Sequence, residues 1–401
     1  MKQSGSADLA LMGGYIPKWL FERMTKLSLH IVEAILVEQG AKGFLSRMSD
    51  PFWFQSFGAV VGMDWNSSGV TTAVMRALKT TLNPHSKSLG LYVCGGKGRE
   101  SLQTPAELKR IGDSTGLNAD YLVRCSRLSA KVDNTAVQDG YDLYIHSFVM
   151  SSEGDWTVIQ QGMKTEDKSA RRYHWHSENI QSFVLDPHAA VCGENQGEIL
   201  NLVDNRAEPA QSGIIEITGE KPVKIISEVT KMNLPKHFGI KPSDVNLKRL
   251  AAILQLAQET QTTDFEDLLL LKGLGPRTLQ SLALVSEVIH GTPTRFSDPA
   301  RFSFAHGGKS GKPFPVATSV YDETIDMLKT AVNRAKIGDT DKQKAIAKLS
   351  KIAQNTESDD EMPNDYFDRV LEKERGDSHL HGGRTVKHFP DPNEGQLRLF
   401  D

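Results

Sequence analysis

The stretch that most constrains this chain is 264–286, where two apolar-periodic segments meet at Lys272-Gly273-Leu274-Gly275-Pro276-Arg277. Asp264 has the form of a helix N-cap, and Glu266 and Asp267 fall in the first turn, where the helix dipole favours anions. Gly273-Leu274-Gly275 predicts a reversal of the chain, with two residues free to take positive φ. Pro276 suits the first turn of a second helix, on which Leu279, Leu282, Ala283 and Ser286 recur at helical spacing. The pattern predicts a helix-hairpin-helix whose turn amides and second helix N-terminus hold a DNA phosphate. Lys272, Gly273, Gly275, Arg277 and Thr278 are its candidate contacts. The alternative is a tight helical corner that needs glycine for geometry alone. Phosphate contacts carry no base information, so the expected partner is DNA with little sequence preference.

At 401 residues the chain has room for two or three domains, each with a core of its own. A formal charge of −3 argues against a polycationic surface, so a DNA site has to be a local basic patch. Cys94, Cys125 and Cys192 form no C-x-x-C pair, which fits a reducing compartment and argues against a zinc site. No apolar run approaches the ~18 residues of a membrane span. The N-terminus lacks the build of a signal peptide. The expectation is a cytoplasmic protein with no membrane partner; self-association is left open.

The periodicities predict an α+β N-terminal domain over 1–192, a connecting segment with short strands over 193–246, and an all-α domain over 247–355 that contains the hairpin. A disordered acidic tail is expected over 356–401. Helices are expected from Pro17 (Leu20, Met24, Leu27, Ile31 and Ile35 on one face), from Asp50 and over 70–82. The aromatics at 52–54 read as core. A strand at 90–94 runs into Gly95-Gly96-Lys97-Gly98-Arg99, either a phosphate cradle using Lys97 and Arg99 or a tight turn. Strands are expected at 141–150 and 156–163, and a short pair at 214–217 and 223–226. A helix from Leu247 has Leu250, Ile253, Leu254 and Ala257 as its buried face.

The densest polar region is 124–177. A metal-dependent nuclease needs carboxylate or imidazole ligands for Mg²⁺ or Mn²⁺, a base, and cations near the phosphate. Asp133, Asp139 and His146 are the candidate ligands. Gln160 and Gln161 are candidates to orient water or phosphate, Lys131, with Arg171 and Arg172, to carry phosphate charge, and Gln138 is a further catalytic candidate. Arg127, Arg171, Arg172 and His174 are candidates to hold DNA, because bases and aromatics interleave at 170–176. Taken singly, each of these residues has a structural alternative as a satisfied core or turn group. A DNA-binding adaptor without catalysis uses the same surfaces.

Ser-Gly-Ser-Ala-Asp at 4–8, Gly13-Gly14, Asp50-Pro51-Phe52-Trp53-Phe54, Ser67-Ser68-Gly69-Val70-Thr71-Thr72, Gln138-Asp139-Gly140-Tyr141, Gln160-Gln161-Gly162-Met163 and Ala170-Arg171-Arg172-Tyr173-His174-Trp175 together resemble the family of domain of unknown function 763. The resemblance runs through the hairpin and 303–308 to about Leu349. It implies a bacterial or archaeal DNA-handling protein with metal-dependent nuclease activity. Separately, Gln396-Leu397-Arg398-Leu399-Phe400 resembles the peptides by which bacterial replication and repair proteins dock on the DNA polymerase sliding clamp. Gln396, Leu397, Leu399 and Phe400 are the candidate partner contacts.

Overall fold

The computed structural model describes residue 16 and residues 18–63, 69–166, 169–231, 246–300, 318–335 and 338–357. Three helices open the chain: α1 (Lys18–Ser49), broken at Gly40, α2 (Pro51–Val61) and α3 (Gly69–Leu82). The stripe expected on α1 is buried at Met24, Leu27, Ile31 and Ile35. Asp50 starts α2 by accepting hydrogen bonds from the Phe52 and Trp53 amides, with Pro51 at the first helical position. Phe52, Trp53 and Phe54 are core, as expected.

A short α4 (Ser86–Leu89) leads into β1 (Leu91–Lys97), followed by α5 (Thr104–Thr115) and α6 (Ala119–Lys131). A π-helical turn at Val132–Ala136 extends α6 into β2 (Val137–Gln138). Then come β3 (Asp142–Ser151), β4 (Trp156–Lys164), β5 (Ser169–His176), β6 (Ala190–Cys192) and β7 (Leu200–Asn201). Strands β1-β3-β4-β5-β6 form one antiparallel sheet in that order, and β2 pairs with β7. The fold is mixed α+β, built on this sheet.

The remaining elements are helical: α7 (Glu208–Gly219), α8 (Pro222–Lys231), α9 (Leu247–Glu259), α10 (Phe265–Leu270), α11 (Pro276–His290), α12 (Thr318–Arg334) and α13 (Asp339–Glu357). The strand pair expected at 214–217 and 223–226 is absent; those residues lie in α7 and α8. Ile214 and Ile217, three apart, bury one helix face, and Pro209 sits in the first turn. A short β-branched run does not distinguish the two periods.

The sheet separates two cores. On one face α1, α2, α3, α12 and α13 pack with Leu91, Val93, Val149 and Ile159. On the other, α5 to α11 pack with Phe148, Trp156, Val158, Tyr173 and Trp175. The expected boundaries therefore need correction. Helices α9 to α11 share a core with the sheet, and α12 and α13 belong to the opposite face, so 247–355 is not a unit with its own core. Among the described residues, no helix is long and apolar enough to cross a membrane. The tail after residue 357, with its terminal peptide 396–400, lies outside the described residues, as does 303–308.

Candidate functional site

Asp264 caps α10 by accepting from the Asp267 amide at 2.8 Å, as its position predicts. Arg124 of α6 donates to Asp267 at 2.6 Å and Glu266 at 3.1 Å, fixing the first turn of α10 from outside. The chain then reverses over 271–275. Gly273 takes a φ of 92°, where an L side chain is strained. Gly275 does not use the same freedom; its backbone is extended (φ −131°, ψ 176°) and it serves as the N-cap of α11. Leu274 is buried, which pins the reversal to the core.

Side chains from three elements tie down the carbonyls of this turn. Arg249 of α9 donates to Gly273 O at 2.7 and 3.2 Å. Lys131, at the end of α6, donates to Leu274 O at 2.7 Å, and Gln138 of β2 donates to Pro276 O at 2.9 Å. The amides of Gly273, Gly275 and Arg277 have no acceptor among the described residues. Lys272 and Arg277, on the turn itself, are exposed. A Cβ built on Gly275 meets nothing within 4 Å. Thr278 is buried, and its amide is used by Gly275 O, so it offers no contact. Lys131 and Gln138, expected in a catalytic centre, are instead ligands of the turn. Burial, and secondarily the nearby Arg249, lower the Lys131 ammonium below the usual lysine range.

The structure does gather Asp133, His146 and Gln160, but into a closed hydrogen-bond relay. Ser126 Oγ lies 2.8 Å from His146 Nε2, and His146 Nδ1 lies 2.8 Å from Gln160 Oε1. Gln160 Nε2 in turn donates to Asp133 Oδ2, which also accepts from Trp175 Nε1 at 2.9 Å. His188 Nε2 takes Asp133 Oδ1. The amide orientation of Gln160 makes His146 Nδ1 the donor, so Nε2 accepts from Ser126. Burial favours this neutral imidazole by lowering its basicity. Asp133 is fully buried; burial raises its pKa, and His188 and Trp175 oppose that rise.

Asp139 lies in a separate network. Its Oδ2 accepts from Arg171 at 3.0 Å and from the Tyr173 hydroxyl at 2.6 Å, and its Oδ1 accepts from the Tyr141 amide. Arg171 also forks onto Asp298 at 2.9 and 2.7 Å and donates to Glu194 O. Burial opposes the guanidinium charge, but Asp298 and Asp139 overcome it and raise the pKa.

Arg171, Arg172 and His174, expected on a DNA surface, are sealed inside β5 instead, which lies between β4 and β6 with helices over both faces. Arg172 and His174 face the α1–α3 side. There Arg172 stacks 4.6 Å over Phe54 and bonds Gln55 and His174. Gln161 lies on that same face, bonded to the Tyr144 hydroxyl, because adjacent strand residues point to opposite sides. A register shift between Leu143 and Ile145 likewise separates Tyr144 from His146. His176 is buried as well as His174.

Of the stretch 95–99 expected as a cradle or a tight turn, Gly95 is already engaged by protein. Gly95 belongs to β1, its amide donates to Glu107 at 2.6 Å, and its carbonyl accepts from Lys79. Lys97 and Arg99 are exposed, with Lys97 over the Tyr144 ring. Arg127 is exposed on α6.

The donor set does not fit a divalent metal. Asp133 and Asp139 spend their oxygens on N–H and O–H donors, and both nitrogens of His146 are engaged. Among the described residues, no three His, Cys, Asp or Glu side chains group as a metal site. Arg249, His188 and Asp298 complete the turn and the two polar networks although no motif of the sequence points to them, and Tyr173 and Trp175, legible only as interleaved aromatics, supply donors to Asp139 and Asp133. None of these contacts carries a local signal, since each partner lies far away in the chain.

No characterised relative and no solved structure matches the chain. A family model does match, over residues 5–316, ending short of Leu349. That span includes the sheet, both polar networks and the turn at 271–275, so the chain belongs to the family described as "Protein of unknown function (DUF763)".

Proposed function

We propose that this protein binds the phosphate backbone of DNA through the turn between α10 and α11, acting as a helix-hairpin-helix. One observation carries the reading: the carbonyls of Gly273, Leu274 and Pro276 are tied to donors of the protein, while the amides of Gly273, Gly275 and Arg277 lack acceptors among the described residues. Such amides, at a helix N-terminus and beside Lys272 and Arg277, suit one phosphodiester oxyanion. Of the two expectations, metal-dependent nuclease and non-catalytic adaptor, the hydrogen bonds that already occupy Asp133, Asp139 and His146 favour the adaptor.

Gly275→Ala tests the reading with little disturbance of the fold. The extended φ accepts an L residue and the space around the position is open, so stability should stay within about 0.5 kcal/mol of wild type. The added methyl stands where a phosphate must approach. Affinity for unrelated duplexes should fall about tenfold, equally for each sequence. Unchanged affinity in the folded variant would falsify the proposal.

The terminal peptide belongs to the same reading. Leu397, Leu399 and Phe400 filling an apolar pocket of a sliding clamp, with Gln396 bonded at its rim, would tether the body near DNA and raise its local concentration. A titration of clamp with the full chain and with a truncation before Gln396 should show binding by the first alone. Equal binding by both removes this partner.

A further inference from the structure

Lys131, Gln138 and Arg249 come from three separate elements, yet each gives a hydrogen bond to a carbonyl of one short turn. A carbonyl oxygen facing a phosphate repels it. Holding the Leu274 and Pro276 peptides with their oxygens against the protein leaves the N–H ends of those same peptides, on Gly275 and Arg277, without an acceptor among the described residues, whereas the peptide whose oxygen Arg249 holds gives its N–H, that of Leu274, to Leu271 O and so is fixed at both ends. Two of the three ties come from residues more than 130 positions away in the chain, |i−j| being 143 for Lys131 and 138 for Gln138. Helix α6 grips the unit twice. Arg124 holds Glu266 and Asp267 at the start of α10, and Lys131, seven residues on and so about 10 Å further along the axis, holds the turn that follows it.

We infer that Lys131 and Gln138, together with Arg249, are positioning residues that set the binding shape of the α10–α11 turn, and that Lys131 and Gln138 do so without touching the ligand. The inference rests on the reading of that turn as a phosphate site, which it deepens: DNA affinity would depend on residues of α6 and β2 as well as on the turn itself. Lys131 is half-buried, with its ammonium already committed to Leu274 O, whereas Lys272 and Arg277 are exposed.

The experiment compares Lys131→Met and Gln138→Leu with Lys272→Ala and Arg277→Ala in the full chain. Two readouts are used: duplex affinity across a salt series, and amide hydrogen exchange of 271–278 in the free protein. A cation that contacts phosphate lowers the slope of log affinity against log salt by about 1 when removed. Lys272→Ala and Arg277→Ala should show that change. Lys131→Met should lose about tenfold in affinity with its slope unchanged, and exchange over 271–278 should accelerate while the melting temperature holds. Lys131→Arg, which keeps a donor, should recover part of the loss. A reduced slope for Lys131→Met would make Lys131 a phosphate contact and overturn the inference. Unchanged exchange together with unchanged affinity would overturn it as well. If the wild-type protein binds no DNA, the proposed function fails, while the exchange readout still decides whether these residues position the turn.

Discussion

Arg171→Met is expected to destabilise the protein by about 3–5 kcal/mol, the cost of removing one partner from a buried ion network. Arg171 is completely buried, as are the two carboxylates it pairs with. Methionine fills most of the stem volume but gives nothing to Asp139, Asp298 or Glu194 O. Asp298 keeps the amides of Gln196 and Ala300, and Asp139 keeps Tyr141 and Tyr173, so neither carboxylate loses every bond. What both lose is the compensating charge, in a place where water cannot supply one. Because Asp298 lies in the segment after α11, the damage should spread from β5 to that segment. Arg171→Lys keeps the charge without the fork and should recover only part of the loss. Denaturant midpoints measure the effect; a midpoint for Arg171→Met equal to wild type would show that the network contributes nothing net.

Asp133→Ala separates a structural carboxylate from a metal ligand. As a ligand, Asp133 would be dispensable for folding, and its loss would leave a stable protein. The hydrogen bonds predict the opposite. Removing the carboxylate strands the Trp175 indole N–H and the Gln160 amide in the core and leaves His188 without its acceptor. Each buried donor left unsatisfied costs about 1–3 kcal/mol, so a loss of at least about 3 kcal/mol is expected. Gln160 also orients His146, so the disturbance should extend to Ser126 on α6. Near-UV circular dichroism of Trp175 and the urea midpoint should change together. A variant as stable as wild type that has lost a metal-dependent cleavage of DNA would restore the ligand assignment.

The sequence by itself determined the helix starts, the buried helix stripes and the main reversal, though not the helices at 214–217 and 223–226, whose short β-branched runs also fit strands. Asp50 and Asp264 announce helix starts because a short acceptor side chain satisfies amides two or three residues on. The stripe Leu250, Ile253, Leu254 and Ala257 marks the buried face of α9 because period 3.6 is a property of neighbours in the chain. The reversal after Leu270 is legible for the same reason, although only Gly273 needs glycine for its φ. Tertiary structure decided which polar residues are accessible. Arg171 and Arg172 read as surface cations until β5 is found between β4 and β6, with a helical layer over each face. Lys131, Asp133 and Gln138 read as one polar cluster, yet they divide between the turn of α11 and the buried relay. Their partners Leu274, His188 and Pro276 lie 55 to 143 positions away. A charge or amide has the same appearance in sequence whether it faces water, another charge or a carbonyl. Its partner is chosen by long-range packing, and burial then makes that choice energetically binding.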